Sequence, residues 1–275
     1  MENLRNILNG VILGISNIIP GVSAGTMLVV LGIYDKLIKS ISGIFKNFKR
    51  NFRFLFFIGL GMALGVLLFS NLISHLLDKY PWQMNYLFIG LILGTFGVLF
   101  KTVKQFNPSK SRYIFFIITF LILVAIRFVK VPEYSQNIIT DLSFENIIII
   151  FISGFMASSA MIIPGLSGSF ILIVFGMYNS IITAVSELNI LILIPFGIGV
   201  ILGFLFMIRV IEYLLREFEV QTYMAIFGFV VGSLVLIFPG FEFSVVGLTC
   251  IVSLIVGFLI SYFICKIDKS KEYAK

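Results

Sequence analysis

A phrase that occurs twice in the chain restricts its fold more than any other feature. The segment NIIPGVSAGTMLVVLGIY ends at Tyr34, and MIIPGLSGSFILIVFGMY ends at Tyr178. Each copy interrupts an apolar run with Pro-Gly and continues with small hydroxyl residues. Proline removes a helical hydrogen bond, and glycine tolerates backbone angles that other residues avoid. The phrase therefore predicts two broken helices rather than two plain membrane anchors.

The composition places these broken helices in a lipid bilayer. Of 275 residues, 59% are hydrophobic and 12% are charged, and the mean hydropathy is +1.10. Soluble domains have about 45–50% apolar and about 25% charged residues, so this chain has too few polar residues to cover itself in water. We therefore predict an all-α integral membrane protein.

The net charge of +7 does not indicate a nucleic-acid partner, because the basic residues lie in short loops between apolar runs. That distribution is the topology signal of a membrane protein. The chain has no P-loop, GxGxxG or HExxH motif, and Cys250 and Cys265 lack metal-ligand spacing. We therefore expect no cofactor and no metal.

The apolar runs predict two repeats, at 1–135 and 136–275. In each repeat a short apolar piece ends at Pro-Gly before a second apolar piece, and we interpret the two resulting regions, 4–42 and 147–186, as re-entrant helical hairpins. Six further runs reach the roughly 20 residues that a crossing helix needs. They lie near 53–77, 83–103 and 113–131 in the first repeat, and near 189–213, 222–238 and 243–265 in the second.

Corresponding residues recur throughout both repeats. Pro20, Gly21 and Ser23 correspond to Pro164, Gly165 and Ser167, and later glycines correspond after a small shift. A hairpin adds no net crossing and three helices add an odd number, so the second repeat is expected to be inverted. Lys and Arg crowd the loops that would share one side, which places both termini in the cytoplasm by the positive-inside rule.

Inverted repeats with broken helices are typical of transporters with a site near the membrane midplane. A helix that starts after Pro-Gly presents unpaired N–H groups and a positive dipole end, which favour an anion. Two such starts from opposite leaflets predict a phosphate or carboxylate site. Packing of small residues between helices is the alternative interpretation. The predicted site residues are Ser23, Gly25, Thr26, Ser167, Gly168 and Ser169, with Pro20, Gly21, Pro164 and Gly165 as the structural breaks.

Few charged residues lie inside the predicted spans. Arg209 is a candidate phosphate-guiding residue with Glu212 as its partner, and the alternative is an interfacial cluster that reaches toward headgroups. His75 is the only histidine and lies near the outer end of its predicted helix. Glu212 and His75 are therefore the candidates for proton coupling, together with the substrate phosphate itself.

The doubled phrase resembles that of the bacterial polyprenyl-phosphate translocase family, formerly a domain of unknown function, and the resemblance covers essentially the whole chain. It implies a carrier of undecaprenyl phosphate, acting in the bacterial cytoplasmic membrane to recycle this lipid for cell-wall synthesis. By the same resemblance, the Pro-Gly and small residues of both motifs are the functional positions.

Two alternatives stay open. The same site would suit a carrier of small soluble anions, such as phosphate or a carboxylate. A membrane enzyme acting on a lipid phosphate is disfavoured, because neither motif contains the His, Asp or Glu that such chemistry usually needs. The expected partners are a polyprenyl-phosphate lipid, the bilayer and coupling protons, and the sequence does not predict an oligomeric state.

Overall fold

The computed structural model describes residues 2–18, 23–105, 109–128 and 143–272. Within these ranges the chain is helical and has no strand, which confirms the predicted all-α class. The helices are α1 (Glu2–Ile18), α2 (Ala24–Val30), α3 (Tyr34–Ser42), α4 (Phe48–Lys79), α5 (Pro81–Gln105), α6 (Tyr113–Arg127), α7 (Phe144–Ile162), α8 (Gly168–Val174), α9 (Tyr178–Ser186), α10 (Ile190–Glu217), α11 (Glu219–Ile237) and α12 (Val245–Glu272).

In the described ranges, five helices are long and apolar enough to cross a membrane. They are Phe48–Lys79, Phe144–Ile162, Ile190–Glu217, Glu219–Ile237 and Val245–Phe263. Their outer faces carry exposed apolar side chains such as Leu67, Ile201 and Leu248. Such exposed apolar faces are stable in contact with lipid and would be unfavourable in water. The chain is therefore a multi-pass membrane protein.

The predicted broken regions contain the short helices α2, α3, α8 and α9. The pair α8 and α9 is bent by 115°. Gly32 and Gly176 follow α2 and α8 with φ angles of 66° and 68°. In each turn the next residue donates its N–H back to the helix, from Ile33 to Leu28 O and from Met177 to Leu172 O. These are Schellman turns, which favour glycine because a Cβ is strained at positive φ.

The first arm of the second broken region is longer than predicted. The sequence indicated a short apolar piece beginning near residue 147, but α7 has 19 residues and begins at Phe144. Its start is set by Ser143, whose Oγ accepts a hydrogen bond from the N–H of Asn146 at 3.3 Å. A serine N-cap of this kind satisfies an amide that has no partner in the helix.

The long helices pack in pairs through glycines. An added Cβ on Gly61 of α4 would overlap the carbonyl oxygen of Ile7 on α1, and one on Gly199 of α10 would overlap that of Phe151 on α7. Such small-residue contacts let membrane helices approach closely. Gly61 and Gly199 are equivalent positions of the sequence repeat, so the same contact occurs twice.

The remaining helix pairs join the two halves of the chain. Gly90 of α5 lies against the carbonyl of Leu254 on α12, and its equivalent, Gly228 of α11, lies against that of Phe116 on α6. Thus α5 pairs with α12 as α6 pairs with α11. These duplicated contacts are consistent with the predicted internal repeat.

Candidate functional site

The two broken regions meet through their tips, by which we mean residues 23–26 of the first region and residues 162–169 of the second. The buried N–H of Gly165 donates a hydrogen bond to Oγ1 of Thr26 at 2.7 Å. The hydroxyl of Ser23 donates to the carbonyl of Ile163 at 3.4 Å, and the hydroxyl of Tyr34 donates to the carbonyl of Ile162 at 3.1 Å. We call this contact the tip junction. It brings together predicted site residues that are far apart in the sequence.

Gly25 packs directly on the backbone of the second broken region. A Cβ at this position would lie 3.1 Å from the oxygen of Ile162, the carbonyl carbon of Ile163 and the nitrogen of Pro164. Backbone atoms on both sides leave little freedom to move away. Glycine at position 25 therefore sets how closely the two tips approach each other.

The second tip also depends on a glycine for its geometry. Helix α7 ends at Ile162, Pro164 is fully buried, and Gly165 has a φ of 83°. A positive φ of this size strains any residue with a Cβ. Pro164 and Gly165 thus form the predicted break. The equivalent Pro20 and Gly21 lie outside the described residues.

The hydroxyl groups of the two tips have different exposure. Ser23 and Thr26 are 4% and 1% exposed, and both are engaged in the tip junction. Ser167 is half-buried and Ser169 is exposed, and their Oγ atoms lie 2.7 Å apart in a hydrogen bond. The accessible donors of the predicted site are therefore those of the second tip, beside the buried Gly168.

The charged candidates do not gather at the tips. Arg209 is exposed on α10, and His75 is exposed on α4. Glu212 is half-buried and lines a cavity of about 1150 Å³, which we call the vestibule. The vestibule lies between α1, α3, the 43–47 turn and the start of α4. Among the described residues Arg209 and Glu212 form no ion pair, so the predicted pair is not present, and another arginine of α10, Arg216, pairs with the adjacent Glu217 at 2.8 Å.

Two site features were missed from the sequence. Tyr34 contributes to the tip junction, although its recurrence as Tyr178 was visible in the doubled phrase. Asp35 accepts a hydrogen bond from the hydroxyl of Tyr223 on α11, which links the first broken region to the second repeat. No sequence pattern joins residues 35 and 223, so only the fold reveals this contact.

The chemistry of the site suits anion binding more than metal binding. The accessible groups at the second tip are hydroxyls and helix-start amides, which donate hydrogen bonds to anionic oxygens. Over the ranges that the structure describes, no group of three or more His, Cys, Asp or Glu side chains is placed to hold a metal ion.

Two broken membrane regions whose tips meet inside a bundle of paired helices define a class: multi-pass helical membrane proteins of the kind found among transporters. A family model described as undecaprenyl phosphate translocase-like matches residues 13–249. The chain belongs to this family.

Two curated relatives agree with this assignment. A polyprenyl-phosphate transporter of Staphylococcus aureus (strain NCTC 8325 / PS 47) is 38% identical over 97% of this chain and 98% of its own length. A polyprenyl-phosphate transporter of Vibrio cholerae serotype O1 (strain ATCC 39315 / El Tor Inaba N16961) is 31% identical over 87% of this chain and 79% of its own length. No solved structure matches the chain significantly.

Proposed function

We propose that this protein is a secondary transporter that moves undecaprenyl phosphate across the bacterial cytoplasmic membrane, so that the lipid is reused in cell-wall synthesis. The names of its relatives support this substrate. The structural observation that carries the proposal is the tip junction, where Ser23 and Thr26 of the first repeat bond to the backbone of residues 163–165 in the second.

The phosphate is proposed to bind at this junction. Ser167 and Ser169 supply accessible hydroxyl donors, and Gly168 allows the ligand to approach the backbone. Ser23, Gly25 and Thr26 face the second tip and complete the site when the tips separate. The isoprenoid tail stays in lipid, so the protein shelters only the headgroup.

The proposed topology has both termini in the cytoplasm and one re-entrant hairpin entering from each leaflet. Loop charges support the orientation. Re-entry of the first hairpin is supported by the ion pair between Lys36 Nζ on α3 and Glu2 Oε1 at 3.0 Å. This contact places α3 beside the start of α1, as expected for a hairpin that re-enters rather than crosses the membrane.

Inward transport of an anion needs a driving force, because an inside-negative potential opposes it by about 2.3 kcal/mol per charge per 100 mV. We propose proton coupling through Glu212, which lines the vestibule. His75 is less suited, because it is exposed on α4 away from the vestibule and the tips. Arg209 is proposed to contact lipid headgroups, because it is exposed and does not line the vestibule.

The first test is a flip assay with labelled polyprenyl phosphate in liposomes. Ser167→Leu and Ser169→Leu remove the accessible hydroxyls, and we expect transport to be lost while membrane insertion is kept. Ser186→Leu is the matched control, because Ser186 is exposed at the end of α9 and bonds only to the carbonyl of Thr183 among the described residues. Equal activity of all three variants would show that the tip hydroxyls serve packing alone.

The same assay identifies the substrate class. We expect the protein to transport both short-chain and long-chain polyprenyl phosphates. A polyprenol, which lacks the phosphate group, should not compete with them for transport. Transport of inorganic phosphate at a rate that no lipid reduces would favour the carrier of soluble anions. Release of inorganic phosphate from the lipid would favour an enzyme.

Proton coupling is tested by an imposed pH gradient. The native protein should respond to the gradient, Glu212→Gln should lose the response, and His75→Gln should keep it. Transport that is indifferent to the gradient in the native protein would refute coupling to protons. If only His75→Gln lost its response to the pH gradient, His75 rather than Glu212 would be the residue that couples transport to protons.

A further inference from the structure

The vestibule lies apart from the tip hydroxyls, and of its lining residues only Glu212 has been given a role above. It is bounded by α1, α3, the 43–47 turn and α4, on the side where α1 and α4 begin. Neither Ser167 nor Ser169 lines it. It approaches the tip junction along α3, because Asp35 lines the vestibule and the preceding Tyr34 bonds to Ile162.

The vestibule has an excess of positive charge. Its acidic side chains are Glu2, Asp35 and Glu212, and its basic side chains are Lys36, Lys39, Lys46, Lys49, Arg50 and Arg53. Lys36 is paired with Glu2, and Asp35 accepts from Tyr223. An uncompensated positive lining in a concave site raises the local concentration of anions.

Five of these cations have no acidic partner in the described part of the chain. Lys39, Lys46, Lys49 and Arg50 make no ion pair there, and Arg53 donates from Nε to the amide oxygen of Asn3 at 3.1 Å. The guanidinium of Arg50 is suited to bidentate contact with phosphate oxygens. The charges available to a ligand therefore come from α3, the turn and α4 together.

Two buried polar side chains also face the vestibule. Asn6 is 5% exposed and Ser40 is 6% exposed, and both line the cavity. Neither side chain makes a hydrogen bond to another described residue. Neither is among the polar side-chain atoms that the protein seals off without a partner, so the amide and the hydroxyl are reached from the open vestibule, where a ligand would be their hydrogen-bond partner. Both groups are able to donate to an anionic oxygen.

We propose that the vestibule is a second phosphate-binding site, which captures a phosphate monoester before the headgroup reaches the tips. Asn6 and Ser40 donate hydrogen bonds from its wall, and Lys39 and Arg50 supply the charge. This inference rests on the proposed function for the identity of the lipid. The chemistry of phosphate recognition rests on the vestibule alone.

Binding to the purified full-length protein tests the proposal without requiring transport. The probes are inorganic phosphate, a water-soluble short-chain prenyl monophosphate, and vesicles containing phosphatidylglycerol. Titration calorimetry should show that the prenyl monophosphate binds, and that Arg50→Gln weakens its binding about tenfold. The control is Arg112→Gln, which removes a basic side chain of another loop outside the vestibule. It should bind like the native protein.

A second variant tests the buried wall. Asn6→Asp nearly preserves the side-chain shape but replaces the amide donor with a negative charge, so binding of the prenyl monophosphate should fall by at least about tenfold. Thermal unfolding establishes that the variant is folded. If Asn6→Asp does not fold, Arg50→Gln and its control still decide the question, because Arg50 is exposed.

The probes distinguish the source of the phosphate. Prenyl monophosphate that binds more tightly than inorganic phosphate identifies the lipid headgroup as the ligand, and equal affinity identifies free phosphate. Binding only to phosphatidylglycerol vesicles, or equal losses in Arg50→Gln and Arg112→Gln, would overturn the site. A protein that binds the monophosphate but does not flip lipid would refute the proposed function and leave the vestibule site intact.

Discussion

The two hairpins carry nearly the same phrase but occupy different environments. In the first, Ser23 and Thr26 are buried and hold the opposite tip. In the second, Ser167 is half-buried and Ser169 is exposed. Equivalent sequence therefore does not give equivalent surroundings, and the accessible donors of the site lie on one tip only.

The cause is visible in the few positions where the phrases differ. Phe170 stands where the first phrase has Thr26, and Ser169 stands where it has Gly25. A phenyl ring has no oxygen to accept a hydrogen bond, so the bond between Gly165 and Thr26 has no counterpart from the second tip to the first. Helix packing repeats in the two halves, whereas the tip junction is one-sided.

This difference bears on transport. Inverted repeats allow two arrangements of a transporter, in which the repeats exchange environments. The bond from Gly165 to Thr26 stabilises the described arrangement, whereas an arrangement with the two tips exchanged would have Phe170, which cannot accept a hydrogen bond, in the place of Thr26. We therefore expect the two arrangements to differ in free energy, with the bond favouring the buried position of the first tip.

Gly25→Val should have the largest effect on this comparison. The added side chain would press on the backbone of residues 162–164, and overpacking of this kind costs up to about 3 kcal/mol. We expect a lower temperature of thermal unfolding and loss of flipping. Ser169→Val is the matched change on the second tip, where the exposed side chain has room, so it should leave the unfolding temperature unchanged. Equal destabilisation would mean that both tips are equally confined.

Thr26→Val should have the next largest effect. It keeps the side-chain shape but leaves the buried N–H of Gly165 without its acceptor, which costs about 1–3 kcal/mol. The amide of Gly165 should exchange faster with deuterium, and the protein should unfold at a lower temperature. Thr183→Val on α9 serves as the control, because the Thr183 hydroxyl has no bond to another described residue. Unchanged protection of Gly165 would contradict the role of Thr26.

Tyr34→Phe should have a smaller effect. It removes one hydrogen bond, to the carbonyl of Ile162, and is expected to lower the free energy of unfolding by about 0.5–1.5 kcal/mol. Tyr178→Phe changes the equivalent residue, whose hydroxyl has no hydrogen-bond partner among the described residues. It should stay within about 0.5 kcal/mol of the native protein. If Tyr34→Phe and Tyr178→Phe lowered the free energy of unfolding equally, the two hairpins would not differ in the contribution of this tyrosine.

Much of the fold was predictable because the bilayer imposes strong rules on a sequence. Apolar length predicted spans that overlap α4, α5, α10, α11 and α12, and the second Pro-Gly phrase predicted the break between α7 and α8. The start of α7 was predicted too late, because the cap at Ser143 lies outside the apolar run. Helix α6 ends at Arg127, with Phe128 as its C-cap, and the last residues of the predicted span, 129–131, lie outside the described residues.

The site was less predictable than the fold. The small residues of both tips were found because the phrase is repeated. Their separate roles depend on which side chain meets which backbone group, as between Thr26 and Gly165. The vestibule was not predicted at all. Its basic residues had been interpreted only as a topology signal, while Asn6 and Ser40 are ordinary polar residues until the packing of α1 against α3 and α4 is known.

The sequence by itself determined that the chain is a helical membrane protein with two broken regions, because apolar length and proline act locally and leave clear signals. Only the tertiary structure decided that the two tips touch, that one is buried and the other accessible, and that a basic cavity lies beside the first. The tip contacts join residues more than a hundred positions apart, such as Thr26 with Gly165, and the cavity needs α1, α3 and α4 to pack together. Which backbone group lies opposite which side chain is set by the packing of all the helices together.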